Sequence, residues 1–129
     1  MSRFLFVPLL LLIAATTSPG AMSRGQAQNR RVIEITAERF EFWPSEITVD
    51  QGEEVELRIR SADTIHGFRI VGTSTNLVIP KRGKGEAVTT FSATAPGHYT
   101  IECNRMCGAG HNFMRAVLVV REPSKSGTR

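Results

Sequence analysis

Residues 53–61 read EEVELRIRS, and the fold class turns on how this stretch alternates. Val55, Leu57 and Ile59 fall on one side of an extended chain, and Glu54, Glu56, Arg58 and Arg60 fall on the other. Strand side chains alternate with a period of two, whereas a helix would spread these three apolar residues around its axis. One face of this strand is therefore built for a core and the other for water. The turn signal DQG (50–52) precedes it, and the same period continues on both sides. VIEITAERFEF (32–42) and EITV (46–49) read as strands separated by Trp43-Pro44-Ser45. HGFRIV (66–71) puts His66, Phe68 and Ile70 on one face. NLVIP (76–80), EAVTTFSA (86–93), HYTIEC (98–103) and RAVLVV (115–120) complete the series, with Tyr99, Ile101 and Cys103 sharing a face. Short strands with turns at this spacing predict an all-β Greek-key sandwich or barrel over residues 32–121.

The 129 residues suit one domain. At 41% hydrophobic and 22% charged, the composition is that of a globular chain and not of a disordered one. The formal net charge of +4 comes from basic residues scattered through strands and turns, which argues against a nucleic-acid site. The N-terminus has Arg3 followed by an apolar run from Phe4 to Ala15 and then small residues, the pattern of an export signal. The run is short for a membrane span, which needs about 20 residues. We read residues 1–21 as a signal peptide, with an uncleaved anchor as the alternative. Residues 22–31 read as a flexible linker and 122–129 as a disordered tail. Export predicts a periplasmic, oxidising location, where two cysteines ordinarily form a disulfide.

Both cysteines of the chain lie in one stretch, CNRMCGAGHNFM (103–114). It joins two predicted strands, so a rigid scaffold would hold it at both ends. With His66 at the start of an earlier strand, it offers two thiols, two imidazoles and a thioether: His66, Cys103, Cys107, His111 and Met114. Thiolate, imidazole and thioether together suit copper. A single copper could use His66, Cys107, His111 and Met114, leaving Cys103 over. A tetrahedral zinc could use His66, Cys103, Cys107 and His111, leaving Met114 over. The small Gly108-Ala109-Gly110 spacer would let the loop fold closely around an ion.

The pattern C-x3-C-x3-H-x2-M with an upstream histidine resembles the binuclear copper (CuA) domain of cytochrome c oxidase subunit II. Ser61 to Phe68, including Asp63 three residues before His66, is similar to that family's first-histidine segment. Phe42 to Ile47 and Ala95 to Tyr99 are similar to its strand entry and to the turn before its first cysteine. The resemblance covers roughly residues 40–120. It implies a cupredoxin fold and two copper ions bridged by Cys103 and Cys107. It further implies His66 and His111 binding one ion each, Met114 as a weak ligand to one, and the Arg105 carbonyl on the other. Two features depart from the oxidase pattern: Arg105 stands where an acidic side chain is usual, and the N-terminal apolar run is short.

These observations together predict an exported protein passing single electrons between redox partners, such as a c-type cytochrome or a terminal oxidase. Membrane association would come only from an N-terminal anchor or an oxidase complex. No general acid or nucleophile is evident, so enzymatic activity is not expected of the domain in isolation. The alternatives are a periplasmic copper carrier or storage protein with a mononuclear site, and a metal-free domain with a Cys103–Cys107 disulfide. Trp43 and Tyr99 are expected in the core, with shielding of the copper from water as the alternative for either, Met106 packed around the site, and His98 on the surface. Asp63 is expected either to make a turn or to orient the His66 loop.

Overall fold

The computed structural model describes residues 30–123. The predicted signal peptide, most of the linker and most of the tail lie outside the described residues. Nine strands are present: β1 (Arg31–Glu38), β2 (Glu41–Trp43), β3 (Glu46–Asp50), β4 (Glu54–Ser61), β5 (His66–Ile70), β6 (Asn76–Ile79), β7 (Ala87–Ser92), β8 (Gly97–Glu102) and β9 (Arg115–Arg121). Among the described residues a single 3-10 turn, His111–Phe113, precedes β9. One sheet has the order β2-β1-β4-β7 and the other β3-β9-β8-β5-β6. β1 runs parallel to β4 and β3 parallel to β9, while the remaining ladders are antiparallel. The chain changes sheet between β2 and β3, β3 and β4, β4 and β5, β6 and β7, and β7 and β8, which gives the expected cupredoxin-like sandwich.

The period-two reading accounts for the core. Val55, Leu57 and Ile59 are buried, as are Phe68, Ile70 and Ile101 from the facing sheet. Phe42 and Phe68 join the two layers edge to face, with ring centroids 5.7 Å apart. The outward face of β4 carries Glu56, Arg58 and Arg60, which pair with one another and with Glu86. Tyr99 is half-buried, stacks edge-on against Phe91, and donates its hydroxyl to the Ala95 carbonyl at 2.8 Å.

Three details differ from the sequence reading. Residues 32–42 are not one strand. Ile35 and Ala37 point inward and so does Phe42, so the inward phase shifts by one residue between them. The chain absorbs that shift by turning at Arg39-Phe40, and β2 returns along β1 with Glu38 opposite Glu41. Arg31, assigned to the linker, already belongs to β1, opposite Val55. Trp43 is not in the core: with Phe42 pointing inward, its neighbour must point out, and it is 71% exposed.

Leu57 is wholly buried at the centre of β4. Leu57→Ala is expected to cost about 2–5 kcal/mol of stability, through lost burial and the cavity left behind. Denaturant unfolding of both proteins measures this, and a cost well below that range would show that the sandwich collapses around the site.

Candidate metal centre

Four loops meet at one end of the sandwich: the β1–β2 turn (39–40), the β4–β5 loop (62–65), the β6–β7 loop (80–86) and the β8–β9 loop (103–114). The register places them there, since Ala37 lies opposite Ser61, His66 opposite Ile79, and Glu102 opposite Arg115. The β8–β9 loop is closed at its base by the Cys103 amide on the Met114 carbonyl at 3.1 Å. Inside it, the His111, Phe113 and Met114 amides bond to Gly108, Gly110 and His111 carbonyls.

All six residues singled out from the sequence converge here. The Sγ atoms of Cys103 and Cys107 are 3.7 Å apart, and both cysteines are free and buried. Ligand atoms of His66, Cys103 and Cys107 lie within 4.8 Å of one another. From Cys107 Sγ, His111 Nδ1 is 3.7 Å away and Met114 Sδ 3.9 Å. The Arg105 carbonyl accepts from Cys103 Sγ at 3.1 Å, and the Gly67 amide donates to the same sulfur at 3.4 Å. The separation of the sulfurs far exceeds a disulfide bond of about 2.05 Å. It is a span that one ion bonded to both at about 2.3 Å would bridge.

His66 supplies the strongest indication of a missing partner. The residue is fully buried, and its Nε2 faces Asp63 Oδ1 at 2.6 Å. Its Nδ1 is also buried and has no hydrogen-bond partner among the described residues. A buried ring nitrogen without a partner is costly. A proton on Nε2, donated to Asp63, leaves the Nδ1 lone pair free toward the two sulfurs. Backing of one ring nitrogen by a carboxylate is the usual support for a metal-binding imidazole. The donor set fits copper: soft sulfur, two imidazoles and a thioether, held in a largely buried cluster.

The electrostatics fit as well. Burial pushes the Cys107 thiol up to about 11 from its ordinary 9.0; the adjacent Cys103 adds to this and the Arg39 guanidinium partly opposes it. Burial also disfavours ionisation of Asp63, but hydrogen bonds from His66 and from the Thr64 and Arg39 amides outweigh it and bring the carboxyl down to about 2. Asp63 thus fills both of its expected roles, ordering the loop and orienting His66.

The sequence reading missed the part played by Arg39 and Phe40. Arg39 Nε donates to the Cys107 carbonyl at 2.6 Å, while its amide donates to Asp63 Oδ2 at 3.1 Å. Phe40 packs on the ligand loop so closely that a Cβ on Gly110 would lie 2.3 Å from its ring. Gly110 is therefore small to admit Phe40, and not only to let the loop fold. Gly67 is constrained in the same way, since a Cβ there would meet the Arg105 amide at 2.9 Å. The phase shift between Ala37 and Phe42 was the signal that a turn brings these two residues to the site. Met106 does not pack around the cluster: it is 75% exposed at the loop tip. His98 lies on the surface, as expected. A cleft of about 230 Å³, lined by Cys103, His111 and Met114 among others, opens beside the cluster.

This fold and donor cluster define a cupredoxin-like protein, and the chain belongs to the cupredoxin-like domain family, whose model matches residues 4–120. Within that family it is similar to cytochrome c oxidase subunit 2 of Thermus thermophilus, with 40% identity over 96 residues, covering 73% of this chain and 68% of that protein. Against the same subunit from a further strain of Thermus thermophilus the identity is also 40%, and the match spans 55% of that protein's length. In three dimensions the chain resembles the periplasmic domain of cytochrome oxidase subunit II of Bradyrhizobium japonicum. The TM-score is 0.64 at 19% identity, covering 71% of this chain and 84% of that one. At that identity the likeness concerns the fold. Among the described residues, no helix is long and apolar enough to cross a membrane.

The lowered Asp63 carboxyl links this corner to pH. An acid ionising more readily in the folded state stabilises the fold above its ordinary value of 3.8. That contribution is lost as pH falls through about 2. Asp63→Asn is expected to be less stable at neutral pH, with the difference from the parent shrinking as pH drops through this window. Denaturant midpoints along an acid pH series read the effect; a gap constant at every pH would show that the charge contributes nothing.

Proposed function

We propose that this chain carries a binuclear CuA-type copper centre and passes single electrons between protein partners. The observation that carries the reading is the pair of free, adjacent sulfurs beside the unpartnered, buried Nδ1 of His66. Copper held there would supply reversible one-electron chemistry. Cys103 and Cys107 would each share a thiolate between two ions. His66 would serve one ion through Nδ1 and His111 the other, with Met114 and the Arg105 carbonyl as the weaker donors. Asp63 fixes the His66 ring, Arg39 fixes the Cys107 carbonyl, and the apolar walls formed by Phe40 and Met114 keep water from the sulfurs. Pre-set donors of this kind leave little to rearrange when the charge changes.

The similarity to oxidase subunit 2 supports a place as the electron-entry component of a terminal oxidase, with a c-type cytochrome as donor. A free periplasmic carrier would use the same centre. The chain spans about half to two thirds of the length of the Thermus relatives, so membership of an oxidase complex is part of the proposal. Export to the periplasm rests on the signal-like N-terminus.

Metal analysis of the protein loaded with copper through its reduced thiols, and electron paramagnetic resonance of its mixed-valence state, test the reading. Two coppers per chain and a seven-line hyperfine pattern in the mixed-valence state are expected, because one unpaired electron would be shared by two equivalent nuclei of spin 3/2. One copper with a four-line pattern would replace it with the mononuclear carrier, and a metal-free protein with no titratable thiols would replace it with the disulfide domain. Cys103→Ser should retain one copper on His66, Cys107, His111 and Met114, as a mononuclear thiolate centre. Two strongly coupled coppers in that variant would remove Cys103 as a bridge.

A further inference from the structure

The charges of the described residues are not evenly matched over the surface. Arg30, Arg31, Arg58, Arg60, Arg69 and Arg121 each pair with a carboxylate. The other six cations, Arg39, Lys81, Arg82, Lys84, Arg105 and Arg115, have no carboxylate in ion-pair reach, and all six are exposed. Every one of them lies in, or at the edge of, the four loops around the metal cluster. The Arg82 amide bonds to the Asp63 carbonyl at 3.2 Å, which seats the Lys81–Lys84 loop directly beside the His66 support.

The acids that face this end do not cancel the charge. Asp63 is committed to His66, Glu86 to Arg58 and Arg60, and Glu102 to Arg69. Glu38 and Glu41, flanking the β1–β2 turn, and Glu46, which opens β3 opposite Val117, are the carboxylates left without an ion pair there, fewer than the unpaired cations. All twelve acidic side chains of the given sequence fall within the described residues 30–123. Arg39 is occupied with the Cys107 carbonyl, which leaves five side chains free to meet a partner. Within this cationic rim two large apolar side chains stand out from the ligand loop, Met106 at 75% and Phe113 at 83% exposure. An apolar centre inside a charged rim has the anatomy of a protein docking site.

We propose that this end of the molecule docks an acidic redox protein, with Lys81, Arg82, Lys84, Arg105 and Arg115 steering its approach and Met106 and Phe113 making the central contact. The proposal rests on the electron-transfer reading and adds the chemistry of the partner to it. Steering of this kind acts on association rate and weakens with salt, because exposed charges are screened over about 10 Å at 0.1 M ionic strength.

The test uses the copper-loaded chain and one redox protein in two charge states: a basic cytochrome c, and the same cytochrome made acidic by succinylating its lysines. Stopped-flow electron exchange is followed across a salt series, with a neutral small-molecule mediator as a partner-independent control. The acidic form should exchange faster at low salt by at least about tenfold, and its rate should fall as salt rises. Lys81→Glu/Arg82→Glu/Lys84→Glu should abolish that advantage while leaving copper content and exchange with the mediator unchanged. Arg121→Gln, at the opposite end, should keep it. Faster exchange with the basic form, or rates indifferent to salt while the mediator reacts normally, would overturn the docking proposal alone. No exchange with the mediator would remove the electron-transfer reading and the docking proposal with it. Capture by phosphatidylglycerol vesicles together with equal rates for both cytochromes would assign the face to a lipid surface and overturn the acidic-protein proposal.

Discussion

One residue in a tight turn, Arg39, connects the two halves of the candidate metal site. Its amide holds Asp63, which holds His66, and its guanidinium holds the Cys107 carbonyl. His66 opens a strand of the five-stranded sheet, whereas Arg39 leaves a strand of the four-stranded one. The spacing between His66 and the sulfurs is thus set across the sandwich, and not by the ligand loop alone. Phe40 fills the space beneath the loop that Gly108 and Gly110 leave open. A long loop costs conformational entropy to order, and these contacts with the β1–β2 turn contribute to ordering it. The site is therefore largely formed by the fold, which is what places a buried imidazole nitrogen without a partner next to two thiols.

That arrangement explains which parts were legible in the sequence. The sheets were, because Val55, Leu57 and Ile59 or His66, Phe68 and Ile70 declare their faces by alternation alone. The donor set was, because Cys103, Cys107, His111 and Met114 fall in one stretch whose spacing carries chemical meaning. Arg39 and Phe40 were not, since their roles depend on a contact with residues more than sixty positions away. The local clue was a slipped phase between Ala37 and Phe42, which a reading of hydrophobicity alone runs together into one strand. Trp43 and Met106 failed in the opposite direction. Both are apolar and close in sequence to core or site residues. Trp43 points into water because its strand neighbour Phe42 takes the inward direction, and Met106 stands exposed at the tip of the ligand loop. Strand phase and loop position, and not size or hydrophobicity, decided their placement.

The thiols sit where protonation and metal binding compete. A buried thiolate without a counter-charge is unfavourable, and the rise of Cys107 to about 11 expresses that cost. A cation bound between the sulfurs would remove the cost by supplying the charge that burial withholds. Loading must then release protons, and affinity must grow with pH until the thiols ionise unaided. An ion that bound the folded chain in preference to the unfolded one would add its affinity to the stability of a small domain whose core is modest. Export to an oxidising compartment would set a third competitor, disulfide formation, against both. At 3.7 Å the sulfurs need little movement to form that bond once an external oxidant takes two electrons and both thiol protons leave, so reduced thiols and metal supply would have to coincide.

Burial across the donor set is uneven, and the unevenness bears on how charge could reach the centre. His66, Met114, Cys103 and Cys107 are all buried, while His111 is half-buried at the end of a loop whose neighbours Asn112 and Phe113 are exposed. Metal-binding sulfurs would need a buried setting, where a preset environment resists reorganisation and water competes less for the ion. A redox partner would need an approach at short range. The loop is compatible with both demands: its Cys103 and Met114 ends are clamped by β8 and β9, and its middle rises to the surface with Arg105 and Met106. Tightening the middle against the core would protect the cluster further but would bury the edge at which a partner can come close. The glycines at 108 and 110 sit at the boundary between these two demands, small enough for Phe40 to press the loop from below while His111 stays open to solvent above.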